Sequence, residues 1–224
     1  MKVGVLVPTF EHDAGSALAA AARADDAGLD GVFAFDHLWP MNHPERPALA
    51  PFPVLAAIAV RHPRLQVGPL VARVSLVGVD HLVAQVDTLA SVAGSGVVCA
   101  LGTGDRLSAS EELAYGLVAL DADERRSRVR AAAIALAARY EVWVGAGAPE
   151  TDGVARELGV TLNLWESPAD EVAAASEHGL VSWAGPIRGD VASTLDDLAR
   201  AGATWAVATR NVDLAALSAW RRAN

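Results

Sequence analysis

The stretch Gly31–Trp39 reads GVFAFDHLW, in which four apolar residues run directly into an acid and an imidazole. A continuous apolar run is typical of a parallel strand that is covered on both faces. Asp36 and His37 then fall where such a strand ends, which is where parallel α/β proteins place their functional groups. The stretch therefore predicts a parallel α/β fold with Asp36 and His37 at its functional edge.

Seven further apolar runs alternate with helical patterns along the chain. Eight units in 224 residues match a closed (β/α)8 TIM barrel at the small end of its size range, whereas an open doubly wound sheet usually has five or six units. We therefore predict one (β/α)8 barrel domain over residues 1–224. The predicted strands are Lys2–Pro8, Val32–Phe35, Leu65–Val71, Gly96–Leu101, Glu141–Val144, Val160–Trp165, Leu180–Trp183 and Thr204–Thr209.

Five glycines stand where a predicted helix ends and the next strand begins. This position favours the left-handed backbone conformation that glycine adopts without steric cost. We expect a left-handed joint at each of them. They are Gly28, Gly94, Gly159, Gly179 and Gly202.

Composition and charge exclude several classes of partner. The net charge of −9 argues against nucleic acid or an anionic membrane surface, because both need a concentrated basic face. No apolar run reaches the length of a membrane span, and Lys2 leads directly into a short strand, so neither a membrane anchor nor a signal peptide is expected. Cys99 has no second cysteine and apolar neighbours, which favours a buried structural thiol and the cytoplasm. No Cys/His spacing predicts a metal site.

Four arginines cluster on one predicted helix that also carries three acids near its start. We interpret this cluster as a solvated helix face and not as an anion site. The arginines are Arg125, Arg126, Arg128 and Arg130.

In a barrel, only residues at the carboxyl ends of the strands line the site. The candidates are Thr9, Phe10, Glu11, His12, Asp36, His37, Arg73, Ser75, Thr103, Asp105, Arg106, Gly145 to Ala148, Trp165, Glu166, Gly185, Pro186, Arg188, Thr209, Arg210 and Asn211. His37 is the preferred acid or base, because an imidazole exchanges protons at neutral pH and Asp36 beside it can fix its tautomer. The alternative is a histidine that only caps a loop. Asp105 is a second acid, base or ligand anchor, or else the N-cap of the next helix.

The segment Gly145-Ala146-Gly147 precedes a predicted helix, where backbone N–H groups and the helix dipole favour an anion. Glu150 and Asp152 at the same helix start oppose an anion, so a plain tight turn is the alternative. Arg188 and Arg210 follow the seventh and eighth strands, which form the usual phosphate corner of such barrels.

Placed in this order, the motifs resemble the bacterial luciferase-like monooxygenase superfamily, and within it the branch that uses the deazaflavin F420. The resemblance runs over MKVGVLVPT (1–9), AAARADDAGLDGVFAFDHLWP (20–40), HLVAQVDTLASVAGSGVVCALGTGD (81–105), ERRSRVRAA (124–132), VWVGAG (142–147) and DLARAGATWAVAT (197–209).

The resemblance implies that F420, or alternatively FMN, binds with its ring at the mouth of the barrel and exchanges a hydride with a small organic substrate. It places His37 beside the reacting ring and gives Asp105 a role in proton transfer or substrate contact. It also implies a non-proline cis peptide near Leu70 and Val71 that supports the ring. The other cofactor-binding residues that we assign are Asp36, Thr103, Gly104, Gly145, Ala146, Gly147 and Arg188.

Further implications concern partners and alternatives. The resemblance implies a homodimer on the helices after the second and third strands, and an F420 or flavin reductase as a partner. Relatives carry longer insertions that close over the substrate, whereas here Arg139 runs almost directly into the fifth strand. Met41 and Asp105 replace the Trp and Glu of the sugar-phosphate dehydrogenases in this branch, so we do not expect sugar-phosphate oxidation. The alternatives are a non-catalytic flavin- or F420-binding barrel and an FMN-dependent monooxygenase that works with a separate reductase.

Overall fold

Strands and helices alternate through the chain in the computed structural model, which describes residues 1–104, 109–114, 116–118, 120–209 and 211–224. The strands within these ranges are β1 (Lys2–Leu6), β2 (Gly31–Ala34), β3 (Gln66–Pro69), β4 (Ala72–Arg73), β5 (Val98–Gly102), β6 (Glu141–Gly145), β7 (Thr161–Trp165), β8 (Val181–Gly185) and β9 (Ala203–Ala208). The helices are α1 (Gly15–Asp26), α2 (Pro51–Arg61), α3 (Val79–Val92), α4 (Ala109–Ala114), α5 (Ala122–Ala137), α6 (Pro149–Leu158), α7 (Ala169–Ser176), α8 (Val191–Arg200) and α9 (Leu214–Ala223).

All strands pair in parallel in the order β3-β2-β1-β9-β8-β7-β6-β5-β4. The two ends of this order, β3 and β4, are separated in the chain only by residues 70–71. Val67 of β3 also bridges in parallel to Val97, directly before β5, so the sheet closes on itself. The (β/α)8 barrel predicted from the alternation is thereby confirmed.

The third barrel position differs from the prediction of one strand over Leu65–Val71. The peptide bond between Leu70 and Val71 is cis, at the site that the resemblance implies. The position is occupied by two short strands, β3 and β4, and the described residues hold nine strands where we expected eight.

Two glycines allow the barrel to close around this break. A Cβ atom at Gly68 would lie 1.9 Å from the backbone oxygen of Val98. A Cβ atom at Gly102 would lie 2.2 Å from Cγ2 of Val71. A side chain at either glycine would push β5 away from the segment formed by β3, residues 70–71 and β4. Glycine is therefore needed at both positions for these segments to approach closely.

The expected glycine joints are confirmed at three positions and wrong at two. Gly28, Gly159 and Gly202 have φ values of 72°, 65° and 91°. Gly94 and Gly179 do not adopt a positive φ. At Gly94 a Cβ atom would instead lie 2.9 Å from the Pro63 carbonyl oxygen, so close packing is the reason for glycine there.

The amino end of the barrel is filled by aromatic rings and by the partly exposed carboxylate of Glu141. Phe33 lies 5.2 Å from Trp143 and 5.5 Å from Trp205 between ring centroids. The indole nitrogens of Trp143 and Trp205 donate to Oε1 of Glu141 at 3.1 and 2.9 Å. Lys2 Nζ lies 3.6 Å from Oε2 of Glu141. In the described part of the chain, these contacts fill the amino end of the barrel, which leaves the carboxyl end for a ligand site.

Cys99 lies on β5 and is fully buried. Burial raises the pKa of its thiol to about 12, which removes the thiolate needed for nucleophilic chemistry. The structural role predicted for this cysteine is consistent with both observations. In the described ranges, no helix is both long and apolar enough to cross a membrane.

The close approach at Gly68 predicts a large effect of one methyl group. Replacing Gly68 with Ala places the new Cβ against the Val98 carbonyl, and we expect the free energy of unfolding to fall by about 1–3 kcal/mol. Denaturant unfolding followed by circular dichroism measures this change.

Gly153→Ala is the matched control, because a Cβ atom at Gly153 in α6 meets nothing within 4 Å. This change should leave stability unaltered or raise it by up to about 1 kcal/mol. Equal effects of the two substitutions would contradict the role assigned to Gly68.

Candidate active site

A cavity of about 430 Å³ opens at the carboxyl end of the barrel; we call it the mouth cavity. Its lining comes from the ends of strands on most sides of the barrel. The lining residues are Phe10, Phe35, His37, Met41, Leu70, Val71, Arg73, Gly102, Thr103, Gly104, Gly145, Ala146, Asn163 and Trp165. The structure thus brings ten of the predicted site residues together in one cavity: Phe10, His37, Leu70, Val71, Arg73, Thr103, Gly104, Gly145, Ala146 and Trp165.

His37 is held by Glu111, a residue of α4 that is only 2% exposed. Oε1 of Glu111 lies 2.9 Å from Nδ1 of His37. Oε2 of Glu111 accepts a hydrogen bond from the Leu38 backbone N–H at 2.6 Å. Because an ionised carboxylate only accepts hydrogen bonds, we assign the ring proton to Nδ1. Nε2 then becomes the nitrogen of His37 that is available to a ligand.

Arg73 completes this group from the end of β4. Its Nη2 donates to Oε2 of Glu111 at 2.9 Å, and both side chains are 3% exposed. Nε and Nη1 of Arg73 are buried and have no hydrogen-bond partner within the described chain. A buried charge is costly without its partner, so the Arg73–Glu111 pair fixes where α4 meets the barrel.

Asp36 has a different role from the one predicted. Its carboxylate accepts a hydrogen bond from the Arg73 backbone N–H at 2.9 Å, and the residue that fixes the His37 tautomer is Glu111. Burial raises the pKa of Asp36, and this rise is opposed by the Arg73 backbone N–H and by the charges of Arg73 and His37. Asp36 therefore positions β4 and does not orient the imidazole.

Sequence reasoning missed Glu111. Glutamate is rarely fully buried, and the pair Glu111-Glu112 on a short helix reads as solvated. Both carboxylate oxygens of Glu112 are also buried, with no hydrogen-bond partner among the residues described. The signal that could have found Glu111 is tertiary, because it lies in the contacts of this side chain with the loop after β2 and with Arg73 of β4.

One side of the mouth cavity is a group of rings that we call the aromatic wall: Phe10, Phe35 and Trp165. Phe10 and Phe35 stack with centroids 5.8 Å apart, and Phe35 lies 6.0 Å from Trp165. The imidazole of His37 lies 6.3 Å from Phe10 and 6.2 Å from Phe35. The wall therefore surrounds the one imidazole in the described lining with apolar ring surface.

Another part of the lining is nearly free of side chains. Val71 packs on Gly102 and Gly145, because Cβ atoms at these glycines would lie 2.2 and 3.6 Å from Val71 methyl groups. The floor of the cavity is thus formed by Leu70, Val71 and exposed backbone. A flat ligand can approach this backbone closely.

A second cavity of about 350 Å³ adjoins the first; we call it the arginine cavity. It shares Thr103, Gly104 and Ala146 with the mouth cavity. Its other lining residues are Ala122, Arg125, Arg126, Gly147, Ala148 and Thr151. The helices α5 and α6 begin at this cavity, so their positive ends face it.

The arginine cluster divides between this cavity and the surface. Arg128 and Arg130 pair with the acids Glu124 and Glu157 at the surface, as predicted. Arg125 and Arg126 both line the arginine cavity. Arg126 also pairs with Asp123 near the helix start, as predicted, so the prediction is corrected for Arg125. The reason is helical spacing: Arg125 stands four residues before the buried Val129, so it lies on the inner face of α5. Nε of Arg125 is buried without a partner in the described part of the chain.

Some predicted residues lie elsewhere. Arg188 is 76% exposed and pairs with Glu166 at 3.0 Å, and it lines neither cavity. Gly147 lines the arginine cavity, and its backbone N–H donates to Asp152 at 3.3 Å. Asp105, Arg106 and Arg210 lie outside the described residues. Within the residues described, no group of three or more His, Cys, Asp or Glu side chains can hold a metal ion.

The raised pKa of Asp36 predicts how stability depends on pH. The unfolded carboxyl titrates near about 3.9, below its folded-state pKa, so ionisation opposes folding as pH rises through the folded value. Asp36→Asn keeps the acceptor for the Arg73 N–H and removes this ionisation. We expect the variant to gain stability relative to the wild type as pH rises from about 4 through the folded-state pKa of Asp36, as measured by denaturant unfolding.

Glu45→Gln is the matched control. Glu45 is exposed and its pKa is lowered, first by a hydrogen bond to its own backbone. The stability that ionised Glu45 contributes is therefore lost as pH falls. The stability of Glu45→Gln relative to the wild type should accordingly fall as pH rises, which is the opposite of the change expected for Asp36→Asn. A pH-independent difference for Asp36→Asn would contradict the assignment.

Comparisons with known proteins agree with this architecture. The sequence model of the luciferase-like monooxygenase family matches residues 1–133. An F420-dependent glucose-6-phosphate dehydrogenase of Nakamurella multipartita is 31% identical over 126 residues, covering 56% of this chain and 35% of the relative. The enzyme of the same description from Beutenbergia cavernae is 34% identical over 129 residues, covering 57% and 37%. The matched segment thus spans about a third of these relatives, as those 35% and 37% shares show.

Solved structures share the fold at low sequence identity. An F420-dependent secondary alcohol dehydrogenase in complex with an F420-acetone adduct has a TM-score of 0.78 at 10% identity, with 97% of each chain covered. The F420-dependent tetrahydromethanopterin reductase of Methanopyrus kandleri has a TM-score of 0.72 at 12% identity, also with 97% of each chain covered. With the family match over residues 1–133, the chain belongs to the luciferase-like monooxygenase family.

Proposed function

We propose that the protein is an oxidoreductase that binds the deazaflavin F420 at the barrel mouth and uses it to exchange a hydride with a small organic substrate. The observation that carries this proposal is the pair of adjoining cavities. One is apolar and contains His37, the other contains two arginines, and Thr103, Gly104 and Ala146 belong to both. A ligand with a flat ring and an anionic tail matches this pair.

The mouth cavity fits the ring. Its floor is formed by Leu70 and by Val71, whose methyl groups pack where Gly102 and Gly145 carry no side chain. Flat aromatic ligands are held by such apolar surfaces together with a few placed polar groups. His37 and Thr103 supply polar groups at the edge of the cavity.

The arginine cavity fits the phosphate of the tail. Arg125 has a buried Nε without a partner in the described residues, and the α6 N-terminus begins at the same cavity. Guanidinium and backbone N–H groups at a helix start both favour phosphate. We assign Ala146 and Gly147 to this end of the site, with Arg125 as an addition that the sequence did not suggest, whereas Gly145 lines the mouth cavity.

F420 supplies the hydride chemistry when it is bound, and the protein supplies orientation and proton management. Glu111 holds the Nδ1 proton of His37, so Nε2 donates to or accepts from an oxygen of the substrate. Oε2 of Glu111 also accepts a hydrogen bond from Nη2 of Arg73, which fixes the carboxylate in its position beside the imidazole. His37 is thus the proposed acid or base, and Glu111 and Arg73 are positioning residues.

Several finer assignments stay predictions. They are the role of Asp105, the contribution of Asp36, Leu70, Val71, Thr103, Gly104 and Arg188 to cofactor binding, a single domain, a homodimer, an F420 or flavin reductase as partner, and a cytoplasmic location. The homodimer has a suitable surface, since α2 and α3 form a groove lined by Phe52, Pro53, Ala56 and Leu89 among others.

Cofactor titration tests the proposal directly. We expect F420 to bind with a dissociation constant in the micromolar range, measured by its fluorescence, and FMN to bind more weakly. Arg125→Ala should weaken F420 binding by roughly 10–100-fold, because a hydrogen bond to a charged group is lost.

Arg128→Ala is the control, because Arg128 pairs with Glu124 at the surface at 3.0 Å. It should bind F420 like the wild type. Tighter binding of FMN than of F420 would replace the proposed cofactor, and failure to bind either would contradict the function.

A His37→Ala variant tests the proposed proton exchange. With F420 bound, turnover of the best substrate from a panel of small ketones and alcohols should fall by about 10²–10⁴-fold, the usual contribution of a general acid or base. F420 affinity should stay within a few-fold of the wild type.

His43→Ala is the matched control, since His43 also faces a glutamate, Glu45, at 3.2 Å but lies exposed outside the cavity. It should keep full turnover. Unchanged turnover in His37→Ala would show that the imidazole does not take part.

A further inference from the structure

We propose that the substrate is an uncharged, flat and largely apolar molecule that stacks on Trp165 at the outer edge of the mouth cavity. This inference rests on the proposed function, because the stacking site is the part of the mouth cavity beside the cofactor ring. It goes further by naming the class of substrate and the residue that selects it.

Trp165 and Met41 are large apolar side chains left open to solvent. They are 45% and 47% exposed, although both line the mouth cavity. The indole lies 6.0 Å from Phe35, which continues to Phe10 at 5.8 Å. The apolar surface therefore runs without interruption from the interior to the rim, which is where a substrate enters.

The backbone holds Trp165 in place. Trp165 is the last residue of β7 and pairs with Ala184 of β8. Glu166 follows with a φ of 54°, its backbone N–H donates to the Ala184 carbonyl at 2.8 Å, and its carboxylate pairs with Arg188 at 3.0 Å. An aromatic side chain on a fixed strand end offers a flat contact at a low cost in conformational entropy.

The charges around the cavity oppose an anionic substrate site. Arg73 is the cation of the described lining, and it is 3% exposed and bound to Glu111. Near the rim, Arg46 donates to the Phe10 carbonyl at 3.5 Å, and Arg188 pairs with Glu166. Nε and Nη1 of Arg73 are buried without a hydrogen-bond partner among the described residues, but the charge of Arg73 is matched by Glu111. The described lining of the cavity thus holds no guanidinium whose charge lacks a carboxylate partner for it to offer to an anionic substrate.

Size sets the remaining limit. The cavity of about 430 Å³ lies toward the lower end of small-molecule sites, and the cofactor ring shares it. The part of the cavity that the cofactor ring leaves free suits a substrate of one or two rings. We expect the substrate to carry a single oxygen atom within hydrogen-bonding distance of His37 Nε2, because the neighbouring surface is apolar.

Equilibrium dialysis of F420-loaded protein tests this inference with three probes. They are 2-acetylnaphthalene, which is flat and uncharged, 2-naphthoate, which is similar in size but anionic, and glucose 6-phosphate. We expect 2-acetylnaphthalene to bind most tightly. Trp165→Ala should weaken its binding by about ten-fold through lost stacking and apolar contact, whereas Trp165→Phe, which keeps a ring, should stay within about three-fold.

Two further variants sharpen the test. Leu180→Ala removes an apolar side chain that is 53% exposed but lies before β8, at the other end of the barrel, and should leave binding unchanged. Met41→Lys adds a cation to the lining and should improve the binding of 2-naphthoate.

The outcomes separate the inference from the proposed function. If F420 binds but the anionic probes bind more tightly than 2-acetylnaphthalene, the substrate class is wrong. Equal binding by wild type and Trp165→Ala removes the role of Trp165. Displacement of F420 by 2-acetylnaphthalene would show that the aromatic wall holds the cofactor ring, and this too overturns the inference. Absence of F420 binding overturns the proposed function itself.

Discussion

The arrangement of the site depends on the buried carboxylate of Glu111. It contacts His37, the Leu38 backbone and Arg73 at once, so one side chain joins the loop after β2, the end of β4 and α4. A helix of six residues is too short to be stable by itself. The buried ion pair and two hydrogen bonds supply the tertiary contacts that such a helix needs. The position of the imidazole and the position of α4 are therefore determined together.

The barrel divides this site from the part that stabilises the fold. At the amino end, Glu141 binds two indoles and the aromatic rings fill the interior. At the carboxyl end, the interior is left open and the buried carboxylate of Glu111 contacts His37 and Arg73. Such a division is expected in this fold, in which one face supplies stability and the other carries the site. It explains why the buried charges of Arg73 and Glu111 are tolerated in an otherwise apolar chain.

Local patterns predicted the strands and the cavity, and failed where burial depends on distant contacts. The apolar run before Asp36 and His37 fixed their place at a strand end, and the same logic located Thr103, Gly104, Gly145 and Ala146. The break in the third barrel position has no local signal, and only the family resemblance pointed to Leu70 and Val71. Glu111 and Arg125 were missed because a charged residue on a helix reads as solvated until its packing partners are known.

The adjoining cavities share a wall made of Thr103, Gly104 and Ala146. These residues belong to the segments after β5 and β6, so a ligand that fills both cavities would touch the same loops twice. Substitutions of the residues in this wall would then change both the affinity for the ligand and its reactivity. Substitutions confined to Met41 or Trp165 would leave the rest of the mouth cavity intact. The outer rim is therefore the place where directed evolution can change ligand specificity without rebuilding the barrel.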